Sequence, residues 1–501
     1  MEKFVNRDEE LMLIDNAVDT LLDRKRLLRT PIIEFYGVEG IGKSALLRKF
    51  EQHCNQKSVM SIWGDGGQSN FYHIIKTTKE RLQKNQPVVV ILDSLDDAGE
   101  GQLQVLETEL ADLIENSQLF VVLSSQRMLR FDNIRSIARK LIARPLQPLD
   151  RESCRTYLDS IDTRITPDIR DIVFSWTRGY PLAMETMVTA ILNHGLNPHE
   201  QEGQKAILSI LTEKVIHQGL LSKISITELD KYQNLLGLLS VPRRFNLVIM
   251  QDIIEEFEPA YKLESSLAYI TLPNTINQVT NILSWDLSRA GYCVDSATRN
   301  LFLLKLRIEE THRYLAIHKL LAKINERFAE KVTGSDRVRY IREYLYHLAS
   351  SGDAFDFSST INKHLESLLE DQLPDTFLQF SEEFFLDEEL KEALGERHTN
   401  SIISFIRRKF VEKYIRASGV PVSDRVRYLR EFFTRTTHVP KINDFPLIFE
   451  ESMRQIIQEE SPAAAIKLFD ELLHDEGLKE LLGKDFDRIA AIIYESLSEE
   501  G

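Results

Sequence analysis

Residues 37–44 read Gly-Val-Glu-Gly-Ile-Gly-Lys-Ser, and no other stretch of the chain constrains its fold as tightly. Gly37, Gly40 and Gly42 let backbone N–H groups turn inward around an anion, and Lys43 and Ser44 follow at the spacing G-x-x-x-x-G-K-[ST]. Such a loop works only between a strand and a helix, where its amides converge on phosphate oxygens. The flanks supply both: Pro31 to Tyr36 is an apolar run of strand length, and an amphipathic stretch follows through Phe50. The expected ligand is ATP or ADP with Mg²⁺, with Lys43 against the β and γ phosphates and Ser44 on the metal.

The surrounding pattern extends this to a whole domain. Apolar positions from Leu11 to Leu22 have helical spacing. Strand-like runs at Ser58 to Trp63, Val88 to Leu92, Leu119 to Ser124 and near Lys140 to Ala143 alternate with helical stretches near Phe71 to Gln83 and Leu103 to Ile114. Alternation of this kind predicts a parallel sheet with helices on both faces. Beyond residue 146 the strand signal fades, and Pro167 to Trp176 and Pro181 to Leu192 read as helices with proline in the first turn. Between 205 and 330, helical stretches surround β-like runs near Ala268 to Leu272 and Leu301 to Leu306, a mixture that suggests a winged helix.

The last third repeats itself. Ser335-Asp-Arg-Val-Arg-Tyr-Ile-Arg-Glu-Tyr344 recurs as Ser423-Asp-Arg-Val-Arg-Tyr-Leu-Arg-Glu-Phe432, eight of ten residues identical at an offset of 88. The register then holds without a gap: Asp356-Phe357 faces Asp444-Phe445, Pro374 faces Pro462, and Asp387 to Gly395 faces Asp475 to Gly483. Two helical units stacked in tandem are expected. The arginines of these blocks alternate with acids, which reads as a solvated helix face rather than a nucleic-acid patch. The expected organisation is thus an α/β P-loop NTPase domain (1–145), a small helical domain (146–204), a winged-helix-like domain (205–330) and an all-α domain of two repeats (331–501).

Further chemistry gathers at strand ends. Val88-Val-Val-Ile-Leu-Asp93 is an apolar run ending in a carboxylate, which would give Mg²⁺ a second contact beside the phosphate loop. Asp96 and Asp97 follow; either orients or deprotonates an attacking water, or simply begins a solvated helix. Leu119 to Arg127 brings polar residues to the same sheet edge, where ligands bind in open α/β folds, so that Arg127 either senses a γ phosphate or is an exposed loop residue.

Composition sets limits. A net charge of -15 and a pI near 5.4 argue against coating nucleic acid or an anionic membrane. Cys54, Cys154 and Cys293 lie too far apart for a disulfide framework or a zinc site, and the longest apolar runs are too short to span a membrane. A reducing, cytoplasmic setting is the expectation. Motifs for hydrolase elbows or zinc proteases are missing from the sequence.

The order of Phe4-Val-Asn-Arg7, the phosphate loop, Asp93-Ser-Leu-Asp-Asp97, Ser124-Ser-Gln-Arg127 and Gly179-Tyr-Pro-Leu-Ala183 resembles the NB-ARC and NACHT branches of the STAND ATPases, switches related to AAA+ proteins. The likeness covers about residues 1 to 330. It implies that Arg7 lies near the adenine, although Asn6 replaces the usual glycine, and that Pro181 packs against the base or ribose. Ile317-His318-Lys319 stands where the family has Met-His-Asp, which implies a contact from His318 to the β phosphate of ADP; the aspartate is replaced here by Lys319. The resemblance further implies slow ATP hydrolysis, a closed ADP form, an open ATP form prone to self-association, and a protein partner held by the C-terminal repeats. No effector domain is expected before Phe4 or at the C-terminus, so output would pass through a partner or assembly. Two rivals remain: an AAA+ ATPase of the origin-recognition or helicase-loader type acting on DNA, and a scaffold that binds ATP without turnover.

Overall fold

A computed structural model describes residues 5–410 apart from 6, 24–27, 68–70, 117, 130, 132–134, 163, 353–356 and 371–373, together with scattered positions beyond 410. The chain divides into two compact units, Met1–Arg313 and Tyr314–Gly501.

The first unit opens with α1 (Asp8–Leu22), β1 (Ile32–Tyr36), α2 (Lys43–Gln56), β2 (Met60–Asp65), α3 (Phe71–Gln83), β3 (Val88–Asp93), α4 (Glu100–Leu113), β4 (Leu119–Ser125), α5 (Arg135–Lys140) and β5 (Leu141–Pro145). The five strands form one parallel sheet in the order β2-β3-β4-β1-β5, with Ile33 of β1 beside Val122 of β4 and Ile142 of β5. Strands β3 and β4 are buried along their whole length, as central strands covered on both faces must be. Ile74, Ile75, Leu106 and Leu110 of α3 and α4 close over Val90, Leu92, Val121 and Leu123. Leu46, Leu47 and Phe50 of α2 are also fully buried, and Phe50 meets Phe120 of β4 edge-on at 6.2 Å. The sheet's C-terminal edge, where β1, β3 and β4 end, is left to the loops.

A helical segment follows: α6 (Arg151–Ile161), α7 (Pro167–Thr177), α8 (Pro181–His194) and α9 (Gln201–Leu211), the last continuing as a π-helix over Thr212–Leu220. Both α7 and α8 begin on proline, where the missing N–H costs nothing. Next come α10 (Ile226–Ser240), α11 (Leu247–Phe257), α12 (Ser266–Thr280), the antiparallel pair β6 (Leu283–Asp286) and β7 (Gly291–Val294), and α13 (Ser296–Ile308). Phe245 forms a bridge to Tyr292 and stacks on its ring at 6.0 Å, so that three helices and a hairpin build a winged helix.

The wing differs from the sequence expectation. Ala268 to Leu272 lies inside α12 and Leu301 to Leu306 inside α13, whereas the strands use Leu-Ser-Trp-Asp and Gly-Tyr-Cys-Val. Caps decide it: the Ser265 side chain accepts from Ala268 N, and the Asp295 carboxylate accepts from Ala297 N and Thr298 N. The two apolar runs are buried helix faces, which short runs cannot distinguish from strands.

The second unit is helical where it is described. The division falls within the first turn of α14 (Thr311–Ala329), inside the segment that sequence assigned to the winged helix. It is followed by α15 (Gly334–Ser350), α16 (Phe357–Glu370), α17 (Pro374–Leu386) and α18 (Glu388–Phe410), which kinks at Gly395 with φ +71°. The first copy of the duplication lies in α15 to α18. The second copy, including Ser423 to Phe432 and Asp475 to Gly483, falls outside the described residues except for isolated positions. In the first copy the repeated arginines divide: Arg339 pairs with the exposed Asp336 of its own helix at 2.5 Å, as a solvated face would have it, whereas Arg342 does not. Arg342 pairs with Glu383 of α17 and with Asp387 at 2.5 Å, and Glu343 is buried. Arg342 thus ties α15 to α17 and to the residue that follows it. Among the described residues no helix is long and apolar enough to cross a membrane.

Candidate functional site

The loop between β1 and α2 is shaped by its glycines. Gly40 and Gly42 take φ of +77° and +104°, and Gly42 is the N-cap of α2, so the helix starts with its amides facing the loop. Lys43 folds back over the loop, donating to the carbonyls of Gly37 at 2.7 Å and Val38 at 3.1 Å. Burial pushes its ammonium below the ordinary lysine range, opposed by Asp96 and then by Asp93, Glu39 and Asp97.

A cavity of about 700 Å³ opens beside this loop, lined by Gly40 to Ala45 together with Arg7, Asp96, Asp97, Gln126 and Pro181. Arg7 reaches it from the N-terminal side of α1, with its guanidinium donating to the carbonyls of Ile41 at 3.2 Å and Gln147 at 2.7 Å. Arg7 therefore holds the loop as well as lining the cavity. Asn6 lies outside the described residues.

The segment Gly179 to Ala183 makes the closest approach. The Tyr180 hydroxyl donates to the carbonyl of Glu39, and Leu182 N donates to the carbonyl of Gly40 at 3.3 Å. A Cβ on Gly40 would stand 2.6 Å from the Cβ of Leu182, so glycine is required there by contact as well as by φ. Tyr180 itself is fully buried. Sequence reasoning singled out Pro181 and missed the flanking Tyr180 and Leu182, although they belong to the same five-residue motif.

The acidic residues divide. Asp93, at the end of β3, is almost buried, and its Oδ1 accepts from Ser124 Oγ and from Ser94 N at 3.0 Å; it is not part of the cavity lining. Asp96 and Asp97 do line it. Asp96 accepts from Gln126 N, and its carboxyl is pushed up by burial, countered by that bond and by Lys43 and Lys223. Asp97 pairs with Lys223 at 3.5 Å.

Arg127 is exposed and outside the cavity lining; its neighbour Gln126 takes the place on the wall. Glu34 explains the turn. This fully buried carboxylate on β1 accepts from Ser125 Oγ at 2.6 Å and Leu129 N at 2.8 Å, and the same Ser125 hydroxyl sits 2.7 Å from the Arg127 carbonyl. Burial raises the Glu34 carboxyl to about 7 against both hydrogen bonds.

His318 has a different fate from the one the resemblance implied. It lies in the second unit, on α14, fully buried, with Nδ1 2.9 Å from His347 Nδ1 and its ring 4.5 Å from that of Tyr314. A side chain enclosed in this way belongs to a helix core and presents no surface to a phosphate.

No family model matches the chain, and no curated protein matches it. Among solved structures, Cdc6p from Pyrobaculum aerophilum is similar at 12% identity over 62% of this chain and 96% of that one, with a TM-score of 0.34. The ORC1 protein of Aeropyrum pernix in complex with DNA is similar at 14% identity over 61% of this chain and 94% of that one, TM-score 0.34. A STAND protein with a tetratricopeptide repeat sensor from Pyrococcus horikoshii is similar at 14% identity over 100% of this chain and 80% of that one, TM-score 0.29. Likenesses this distant add nothing to the argument from geometry. The loop, the parallel sheet and the order of its strands define an α/β P-loop NTPase fold, continued by helical, winged-helix and all-helical parts.

Proposed function

We propose that this chain is an ATP-binding, STAND-type molecular switch that hydrolyses ATP slowly and couples the nucleotide to domain arrangement, partner binding or self-association. The observation that carries this reading is the docking of Tyr180 and Leu182 on Glu39 and Gly40. It makes the phosphate loop and the following helical segment two walls of one cavity, so a ligand there bears on both. A nucleotide shifts such an arrangement only through different affinity for its closed and open forms.

The residues fit the group. Gly40 and Gly42 form the backbone cradle, Lys43 supplies the cation, and Ser44 on the cavity wall and Asp93 at the end of β3, outside that lining, are hard oxygen donors of the kind Mg²⁺ takes. Mg²⁺ would supply charge neutralisation at the phosphates. Asp97, or Asp96 beside it, would orient or deprotonate water, and Arg7 and Pro181 would bound the side of the base.

The DNA-acting alternative is disfavoured by the winged helix itself. Its third helix, the element that enters the major groove in helix-turn-helix proteins, is Ser-Leu-Ala-Tyr-Ile-Thr-Leu-Pro-Asn-Thr-Ile-Asn-Gln-Val-Thr and contains no Lys or Arg. Such cations supply the phosphate neutralisation on which most DNA affinity rests. Phosphate release and light scattering test the proposal together. Wild-type turnover should be slow, should fall in Asp97→Asn, and the mass should differ between ADP and ATP. Turnover equal to that of Lys43→Ala with an unchanged mass would instead leave a non-hydrolysing scaffold.

A further inference from the structure

Lys223 lines the cavity although no motif announced it. It follows the π-helix Thr212–Leu220, in the turn where Leu221 N donates to the Ile216 carbonyl at 2.8 Å and Ile224 N to that of Leu221 at 2.9 Å. This turn links the helical segment to the winged helix. A Cβ on Gly219, just before it, would stand 3.6 Å from Cδ2 of Leu182, the residue that docks on Gly40. Ser222 and Lys223 also line a small crevice together with Val38, Glu39, Gln126 and, from the end of α12, Thr280 and Asn281. The turn is therefore in touch with the phosphate loop, the end of β4 and the winged helix at once.

Lys223 lies in the same cavity as Lys43, and both cations act on the same two carboxylates, Glu39 and Asp96. Its direct partner is Asp97 at 3.5 Å, with side chains 48% and 50% exposed. A half-exposed pair of this kind is weak and easily exchanged. A phosphate oxyanion is a stronger partner for an ammonium than a solvated carboxylate, through both charge and the number of acceptors.

We infer that Lys223 is a second phosphate-contacting cation, supplied from the turn between the helical segment and the winged helix, which exchanges Asp97 for the terminal phosphate of a bound nucleoside triphosphate. The inference rests on the nucleotide-binding reading of this cavity. It gives the winged helix a covalent connection, through α10, to a residue that distinguishes triphosphate from diphosphate, and it releases the Asp97 carboxylate only when the terminal phosphate is present.

The test is calorimetric titration of the full chain with ATP and with ADP, both with Mg²⁺, for wild type, Lys223→Ala, Lys223→Gln, Lys223→Arg and Lys43→Ala. Lys223→Ala and Lys223→Gln should each lose about tenfold in ATP affinity and less than about threefold in ADP affinity, the size of one charge-assisted contact. Lys223→Arg should keep most of the difference between the nucleotides, because it keeps the charge. The glutamine variant preserves the packing of the stem, so the test survives if the alanine variant does not fold. Equal losses for both nucleotides, or none, would overturn the inference while leaving the binding site intact. A wild type that binds neither nucleotide, like Lys43→Ala, would overturn the inference and the underlying reading together.

Discussion

The phosphate loop and the His318 region both drew attention in the sequence as phosphate contacts, and the structure treats them in opposite ways. At the loop, positive φ at Gly40 and Gly42, the N-cap of α2 and the folded-back Lys43 all serve one opening, and the cavity lies against it. At His318 every neighbour closes in: His347, Tyr314 and Tyr346 surround the ring, and no exposure is left. The difference lies in what each signal depends on. A loop of eight residues whose backbone must adopt left-handed conformations has few other uses, whereas one histidine on an apolar helix is equally at home in a core.

The largest effect that would break this contrast is at Gly40. A valine there meets Leu182 and must take φ near +77°, so Gly40→Val should cost roughly 4 kcal/mol of nucleotide affinity or of domain stability. Titration calorimetry with a melting curve separates the two. Unchanged affinity and melting would mean that the 179–183 segment does not dock on the loop.

Glu34 gives the next effect and lies under the site rather than in it. Its carboxyl is raised from 4.5 to about 7 in the fold, chiefly by burial, and its Oε2 has no hydrogen-bond partner among the described residues. The folded state therefore holds a proton that the unfolded chain gives up earlier. The stabilisation is full below pH about 4.5 and disappears as pH rises through about 7, on the order of 3 kcal/mol for this group. Unfolding measured across this range should show that fall in wild type and a flatter profile in Glu34→Gln. Identical profiles would contradict the burial of an ionisable group at β1.

His318→Ala sharpens the comparison from the other side. Loss of a buried ring and its partner should cost about 2 kcal/mol of stability with ATP and ADP affinities unchanged. A shift in nucleotide affinity without a fall in melting temperature would return the phosphate contact to His318. Smaller still, Arg342→Ala should cost about 1 kcal/mol by breaking the ties to Glu383 and Asp387, read in the same melting experiment. No loss would mean that Arg342 is available to a partner after all.

The sheet was legible because its central strands β3 and β4 are apolar runs buried throughout and its strands alternate with helical stretches; helices α7 and α8 announced themselves by proline in the first turn. The wing was not, because Leu283-Ser-Trp-Asp286 is short and half polar while the apolar Leu301 to Leu306 is helical. At the site, Gly37 to Ser44 stood out as a local pattern, whereas Arg7 was singled out only through the family resemblance. Lys223, Tyr180 and Leu182 were not readable, since their roles depend on partners far away in the chain. Arg342 misled for the same reason: its acids, Glu383 and Asp387, lie 41 and 45 residues further along the chain.

The central claim is that the cavity beside Gly37 to Ser44 binds a nucleoside triphosphate with Lys43 as its principal cation. Calorimetric titration of the full chain with ATP and Mg²⁺ tests it most directly. Wild type should bind with one site per chain, and Lys43→Ala should lose roughly a hundredfold or more in affinity, the loss of a buried charge-assisted contact, while keeping its melting temperature. Equal affinity in wild type and Lys43→Ala would contradict it.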